Sequence, residues 1–158
     1  MRVVIDTNIL VGAAKDLSTD HIAVLTLLYI FKQSLMLDYE EVLLGEYRDN
    51  VGRCVLFQKW YQAMQTGQLI CWGNGHLPQR MAAELRRRHF HESEDQVVVA
   101  LAVHGDKYIV TEDSDFGKGN IVRAIEHRDV LAYLTHDLRL IVHNAREACE
   151  RLGGADRS

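Results

Sequence analysis

Short apolar runs alternate with longer helical patterns along most of this chain. The runs favour strands because they are brief, rich in β-branched residues and bounded by polar residues. We predict strands at 2–5, 34–38, 68–72, 107–111 and 121–125. Helical spacing and end signals predict helices at 18–33, 40–51, 55–65, 78–88, 93–105 and 138–152. Strands that alternate with helices indicate an α/β fold, a three-layer α/β/α sandwich around a mainly parallel sheet.

Length and composition set the class of protein. A chain of 158 residues with 47% hydrophobic residues is long enough to bury one core, so we predict a single domain at 1–152 and a loose tail at 153–158. Three cysteines without a CxxC pair read as thiols in a reducing compartment. The apolar run at 22–31 is too short to span a bilayer. We therefore expect a cytoplasmic protein with no membrane partner.

Acidic residues follow the ends of two predicted strands. Asp6 ends the strand at 2–5, and Asp113 and Asp115 follow the strand at 107–111. Asp95 lies in the first turn of the helix before that second strand, and Glu46 lies on the helix at 40–51. Ligands of open α/β sheets bind outside the carboxyl ends of the strands. We expect these acids to meet at that edge.

Carboxylates that gather this closely repel one another unless they take up protons or a cation. A hard divalent ion with oxygen ligands, Mg²⁺ or Mn²⁺, resolves the conflict, and the sequence leaves open whether one or two ions bind. A metal that activates water and stabilises charge on phosphoryl oxygens suits phosphodiester hydrolysis. The sequence offers no Ser/His/Asp or Cys/His pattern for a covalent nucleophile.

Four motifs resemble those of the PIN-domain nucleases, in the order in which that family has them. They are VVIDTN at 3–8, EEVLLGEY at 40–47, EDQVVVALA at 94–102 and IVTEDSDF at 109–116. The resemblance implies a PIN-like fold and Mg²⁺- or Mn²⁺-dependent hydrolysis of RNA. It further implies the role of toxin in a toxin–antitoxin pair, with a small antitoxin protein as partner.

The resemblance also assigns roles to individual residues. It implies that four acids bind the metal and are catalytic, namely Asp6, Glu46, Asp95 and Asp113. It implies that Asn8 and Thr111 form hydrogen bonds within the site and that Asp115 is a secondary acid near the metal. Glu40, Glu41 and Asp38 compete with Glu46 for its position.

Each acid also has a simpler interpretation. Asp6 and Asp95 are suited to capping or opening a helix, and Asp113 and Asp115 to an Asx turn before Gly117. For a shared site to be absent, all of these simpler interpretations would have to hold at once and in this order. We therefore favour the hypothesis of a shared site.

The densest basic stretch is ELRRRHFH at 84–91. Arg86, Arg87 and Arg88 could contact RNA phosphates, although a solvated helix end is the favoured interpretation. The net charge of −4 gives no general attraction for a polyanion, so any such contact is local. His89 and His91 with Glu92 superficially suggest zinc, but the PCxxC of zinc deaminases is missing, and we reject zinc.

Other functions remain open from the sequence. A PIN-like module that binds RNA or protein without cleaving it is the main alternative. A structure-specific DNA nuclease is a lesser alternative, and so is a phosphatase. The phosphatase is disfavoured because haloacid-dehalogenase-type enzymes have a second Asp two residues after the first, where this chain has Asn8. The oligomeric state is also open, and the apolar helices at 19–33 and 138–152 would suit either a homodimer or core packing.

Overall fold

A computed structural model describes residues 1–90 and 92–154 of the chain. Its strands are β1 Arg2–Ile5, β2 Ser34–Asp38, β3 Ile70–Gly73, β4 Tyr108–Val110 and β5 Ile141–His143. Within the described residues they form one sheet in the order β3-β2-β1-β4-β5, and every neighbouring pair is parallel. The predicted α/β class with a parallel sheet is confirmed.

The helices cover both faces of this sheet. They are α1 Thr7–Ala14, α2 Thr19–Ile30, α3 Val42–Val51, α4 Val55–Thr66, α5 Gln79–Arg87, α6 Ser93–His104, α7 Ile121–Glu126, α8 Arg128–Ala132 and α9 Ala145–Gly154. α1 packs against α2, α3 and α4, and α2 packs against α9. α6 packs across β1, β2 and β4. The chain runs across the sheet in one direction from β1 to β3 and in the other from β4 to β5. The right-handed crossovers that parallel strands favour would then put α1 to α4 on one face and α6 on the other, in agreement with a three-layer α/β/α sandwich.

The central strands are buried because helices cover both of their faces. Val3, Val4 and Ile5 are 0–1% exposed, and every residue of β4 is buried. These residues therefore form continuous apolar runs, as the strands of a parallel sheet do. Because β1 is central, the residue that follows it is held at the middle of the carboxyl edge.

The last predicted strand is wrong. Residues 121–125 lie in α7, whose first turn is capped by Asn120, since its side chain accepts from the backbone N–H groups of Val122 and Arg123. Five residues with apolar side chains on both sides of Arg123 do not distinguish strand from helix by their periodicity, and the cap decides here. The fifth strand is β5, inside the segment 138–152 predicted as helical, and the helix there begins only at Ala145.

The last helix extends further than the sequence predicts. α9 continues to Gly154, two residues into the segment predicted as a tail, and residues 155–158 lie outside the described part of the chain. Among the described residues, no helix combines the length and the apolar character needed to cross a bilayer.

Candidate metal centre

Asp6 and Asp113 follow neighbouring strands at the centre of the sheet. Ile5 pairs with Val110, and the backbone N–H of Asp6 donates to the carbonyl of Val110 at 3.0 Å. From β1 the chain goes first to β2 on one side of the sheet and later to β4 on the other. The gap between β1 and β4 is therefore the topological switch point, where open α/β sheets bind their ligands.

Asp95 joins these two acids from α6. Because α6 packs across β1 and β4, its first turn, which carries Asp95, lies over the same edge. One ligand oxygen from each of Asp6, Asp95 and Asp113 lies within 4.8 Å of the others. We call these three residues the aspartate cluster. The sequence prediction that they meet at one edge agrees with this geometry.

Hydrogen bonds fix the carboxylate of Asp6. Its Oδ1 accepts from the backbone N–H of Thr7 at 2.9 Å, so Asp6 also caps α1. Its Oδ2 accepts from the Thr111 hydroxyl at 2.7 Å and from Asn8 Nδ2 at 3.3 Å. Asn8 Oδ1 in turn accepts from the backbone N–H of Glu112 at 3.0 Å. Asn8 and Thr111 thus join the ends of β1 and β4, the hydrogen-bonding role that the resemblance implies for them.

A tight turn after β4 orients Asp113. Its backbone N–H donates to the Thr111 hydroxyl at 3.0 Å, and its Oδ1 accepts from the backbone N–H of Asp115 at 2.9 Å. This is the Asx-type interaction that the simpler interpretation expects, and it begins the 3₁₀ turn Ser114–Phe116. Phe116 is fully buried and packs edge to face on Phe90 at 5.0 Å between ring centroids. Capping and a shared acidic site therefore coexist.

The electrostatics of the cluster are unfavourable without a cation. Burial raises the pKa of Asp6 to about 7, and the charges of Asp113 and Glu46 add to the effect. Burial raises the pKa of Asp95 to about 8, with Asp6 as the largest charge contribution. Burial also raises the pKa of Asp113. Desolvated acids that repel one another hold a proton unless a metal replaces it.

Glu46 faces the cluster from α3 but stands apart from it. It is half-buried, burial raises its pKa, and its charge raises the pKa of Asp6 and Asp95. It is not among the residues whose ligand atoms lie within 4.8 Å of one another. Glu46 therefore interacts electrostatically with the aspartate cluster but does not complete it.

Two of the three acids that compete with Glu46 have other contacts. Asp38 is buried, and its two oxygens accept from the backbone N–H groups of Val42 and Leu43, both at 2.9 Å, so it caps α3. Glu40 pairs with His76. Glu41 occupies the N-cap position of α3 in a left-handed conformation, with no side-chain cap bond. Glu46 is therefore the acid of this region that is directed at the cluster.

Two polar residues near the site were missed by the sequence analysis. The hydroxyl of Thr7 is buried and lies close enough to Glu46 to lower the pKa of that carboxyl, although no hydrogen bond of normal geometry joins it to a described residue. His127 lies beside Asp115, with 3.5 Å between Nε2 and Oδ1. Thr7 directly follows Asp6, so its position in the sequence could have placed its hydroxyl at the same edge of the sheet. His127 comes from a separate loop, and no local pattern marks it.

The basic stretch at the end of α5 makes internal contacts. Arg87 and Arg88 both pair with Glu84, and Arg88 also donates to the carbonyl of Asp129 and lies over the ring of Tyr133 at 5.0 Å. These contacts agree with the favoured interpretation of a structural helix end. Contact of Arg86, Arg87 and Arg88 with RNA stays a prediction. His91, part of the rejected zinc pattern, lies outside the described residues.

No model of a protein family, no curated protein and no solved structure matches this chain. The interpretation of the site therefore depends on its geometry and on the chemistry of its donor atoms. The resemblance to PIN-domain nucleases stays an expectation based on the four motifs.

Proposed function

We propose that this protein is a Mg²⁺- or Mn²⁺-dependent endoribonuclease. The observation that carries the proposal is the aspartate cluster, in which three carboxylates from separate elements converge at the switch point of a parallel sheet. Hard divalent ions prefer such oxygen ligands and are often held by few carboxylates plus water. A site of this kind is suited to hydrolysis of phosphodiester bonds.

The residues present fit a divalent ion. Asp6, Asp95 and Asp113 would hold it, and the charge of Glu46 acts on the same carboxylates from α3. The fit depends on the chemistry of the donor set, since carboxylate oxygens are the ligands that hard divalent ions prefer. When bound, the metal supplies an activated water and stabilises charge on the phosphoryl oxygens. The donor set admits one ion or two.

The chain's own residues position the donors. Thr111 holds Asp6 and the turn at Asp113 in one geometry because its hydroxyl donates to the first and accepts from the second. Asn8 ties the same turn to α1. Such supporting hydrogen bonds keep a carboxylate aimed before the ion arrives, which lowers the cost of binding.

RNA as the substrate, and a cytoplasmic toxin restrained by an antitoxin as the biological role, extend the proposal beyond the geometry. They are supported by the four motifs that resemble PIN-domain nucleases. The three cysteines, all free in the structure, are consistent with a reducing compartment.

The test is cleavage of end-labelled single-stranded RNA by the purified protein with Mn²⁺ or Mg²⁺. We expect cleavage that EDTA abolishes, that Asp6→Asn abolishes, and that Asp16→Asn leaves intact, since Asp16 is exposed and follows α1. Metal binding without cleavage of any RNA would instead indicate a binding module. Phosphate release from small esters without RNA cleavage would indicate a phosphatase, and cleavage of structured DNA alone would indicate a DNA nuclease.

A further inference from the structure

A cleft of about 390 Å³ lies beside the aspartate cluster and is not used by the proposed chemistry. It opens at the carboxyl ends of β2 and β3, and its volume is within the range of pockets that hold small molecules. Its lining includes Asp38, Tyr39, Asn74, His76 and Gln96. Gln96 of the cleft wall follows Asp95 of the aspartate cluster directly in α6, so the Cα atoms of these two residues are about 3.8 Å apart.

The cleft is unsuited to a phosphate or another anion. Among the described residues that line it there is no Lys or Arg, whereas Asp38 and Glu40 contribute carboxylates. It is equally unsuited to a cation, because both oxygens of Asp38 already accept backbone N–H groups and Glu40 pairs with His76. The cleft is therefore suited to an uncharged ligand.

The polar groups of the cleft suit the edge of a planar heterocycle. Asn74 uses its Oδ1 to accept from the backbone of His76 at 2.8 Å, which leaves Nδ2 as a donor with no partner among the described residues. Gln96 uses its Nε2 in a long contact of 3.4 Å to the carbonyl of Phe90, which leaves Oε1 as an acceptor. One donor and one acceptor are what a nucleobase edge pairs with.

The remaining walls suit the faces of such a ring. Val42, Leu77 and Val97 line the cleft with apolar surface, and Tyr39 is 71% exposed at its rim. Gly75 packs tightly against two other residues of the wall, since a Cβ there would lie 2.8 Å from Cβ of Asp38 and 3.3 Å from Cγ1 of Val97. Proteins bind unpaired bases by stacking on exposed aromatic rings of this kind.

We infer that this cleft is a subsite for one unpaired nucleobase of the RNA, next to the phosphodiester bond held at the aspartate cluster. The inference rests on the proposed function and adds to it. A base docked between Tyr39 and the amides of Asn74 and Gln96 would select where the chain is cut, while the acidic lining keeps phosphates out of the cleft and at the metal.

The test uses the four uncharged nucleosides with the metal-free full chain, followed by the side-chain amide signals of Asn74 and Gln96 in ¹⁵N–¹H spectra. We expect at least one nucleoside to shift both signals in a saturable way. Tyr39→Ala is expected to weaken that binding roughly 5- to 100-fold through loss of stacking. Gln65→Ala, an exposed amide on α4, is the matched control and should leave it unchanged.

The outcomes separate this inference from the proposed function. If no nucleoside shifts the two amides, or if the shifts fall only elsewhere, the subsite is rejected even when RNA is cleaved. If the nucleosides bind as expected but no nucleic acid is cleaved with any metal, the subsite stands and the nuclease proposal fails. Equal binding by wild type and Tyr39→Ala would also overturn the inference.

Discussion

Replacing Asp95 by Asn should stabilise the metal-free protein at alkaline pH. Burial, with the neighbouring acids, raises the pKa of Asp95 from 3.8 to about 8. The folded state therefore holds its proton more tightly than the unfolded state does. As a result, the free energy of unfolding falls as the pH rises from about 4 to about 8. Asn carries no charge and removes this loss.

The size of the effect follows from the pKa shift. Each pKa unit corresponds to about 1.36 kcal/mol, so a rise of about four units sets a ceiling of roughly 5 kcal/mol. Asp95 is partly exposed, and its repulsion is shared with Asp6, so screening and overlap reduce this to about 2–3 kcal/mol. Asn also loses a favourable interaction with the N-terminus of α6, which costs about 0.3–1 kcal/mol. We expect a net gain of about 2 kcal/mol at pH 8.

The assay is urea unfolding in EDTA at pH 5 and pH 8, followed by fluorescence. Trp60 is a suitable reporter because it is 9% exposed and donates its indole N–H to the carbonyl of Leu25 at 2.9 Å. The difference between variant and wild type should be clear at pH 8 and small at pH 5. Adding Mn²⁺ should stabilise the wild type, by an amount set by its affinity, and the variant much less.

Glu94→Gln is the matched control. Glu94 occupies the same first turn of α6 but is exposed, and its charge raises the pKa of Glu46. Its replacement loses the helix-end interaction and relieves the repulsion of Glu46, so the stability should change little. Lower stability of Asp95→Asn than of wild type at pH 8 without metal, or an equal gain from Glu94→Gln, would show that the buried charge of Asp95 does not destabilise the fold.

Three further predictions concern the support of the cluster. Thr111→Val should weaken Mn²⁺ binding about 10- to 100-fold by calorimetry, because it removes the hydroxyl that donates to Asp6 and accepts from Asp113; unchanged affinity would contradict the role. Tyr47→Phe should lower the free energy of unfolding in urea by about 1–3 kcal/mol, because the hydroxyl donates to the carbonyl of Ile5; equal stability would show that this bond contributes nothing. Metal affinity should rise from pH 6 to pH 8 with proton release, because acids with pKa values of about 7 and 8 must ionise; a flat profile measured in two buffers would argue against ionisation of the cluster.

Most of the fold could be predicted because its signals are local. Buried strands such as 2–5 are marked by β-branched runs, and helices such as α6 by a polar first turn and a closing glycine. The error at 121–125 has a physical cause. IVRAI fits strand and helix equally, and the side chain of Asn120 decides for the helix. The three-residue β5 is too short to show any period and depends on pairing with β4.

The residues of the site that directly follow strands could be predicted from the sequence. Asp6 and Asp113 follow adjacent parallel strands, and topology alone brings them together. The exact reach of Glu46 was not predictable, since helical spacing gives a face but not a distance to acids on other elements. The contact of His127 with Asp115 depends on how the turn after β4 packs against the loop between α7 and α8, which no local pattern encodes.

The most direct test of the account is the anomalous diffraction signal of Mn²⁺ in crystals of the full chain. The account predicts a peak between the carboxylates of Asp6, Asp95 and Asp113, about 2 Å from their nearest oxygens, and no such peak in crystals of Asp6→Asn. An absent peak at the cluster in the wild type under saturating Mn²⁺, or a peak that survives Asp6→Asn unchanged, would contradict the claim that these aspartates form a metal centre.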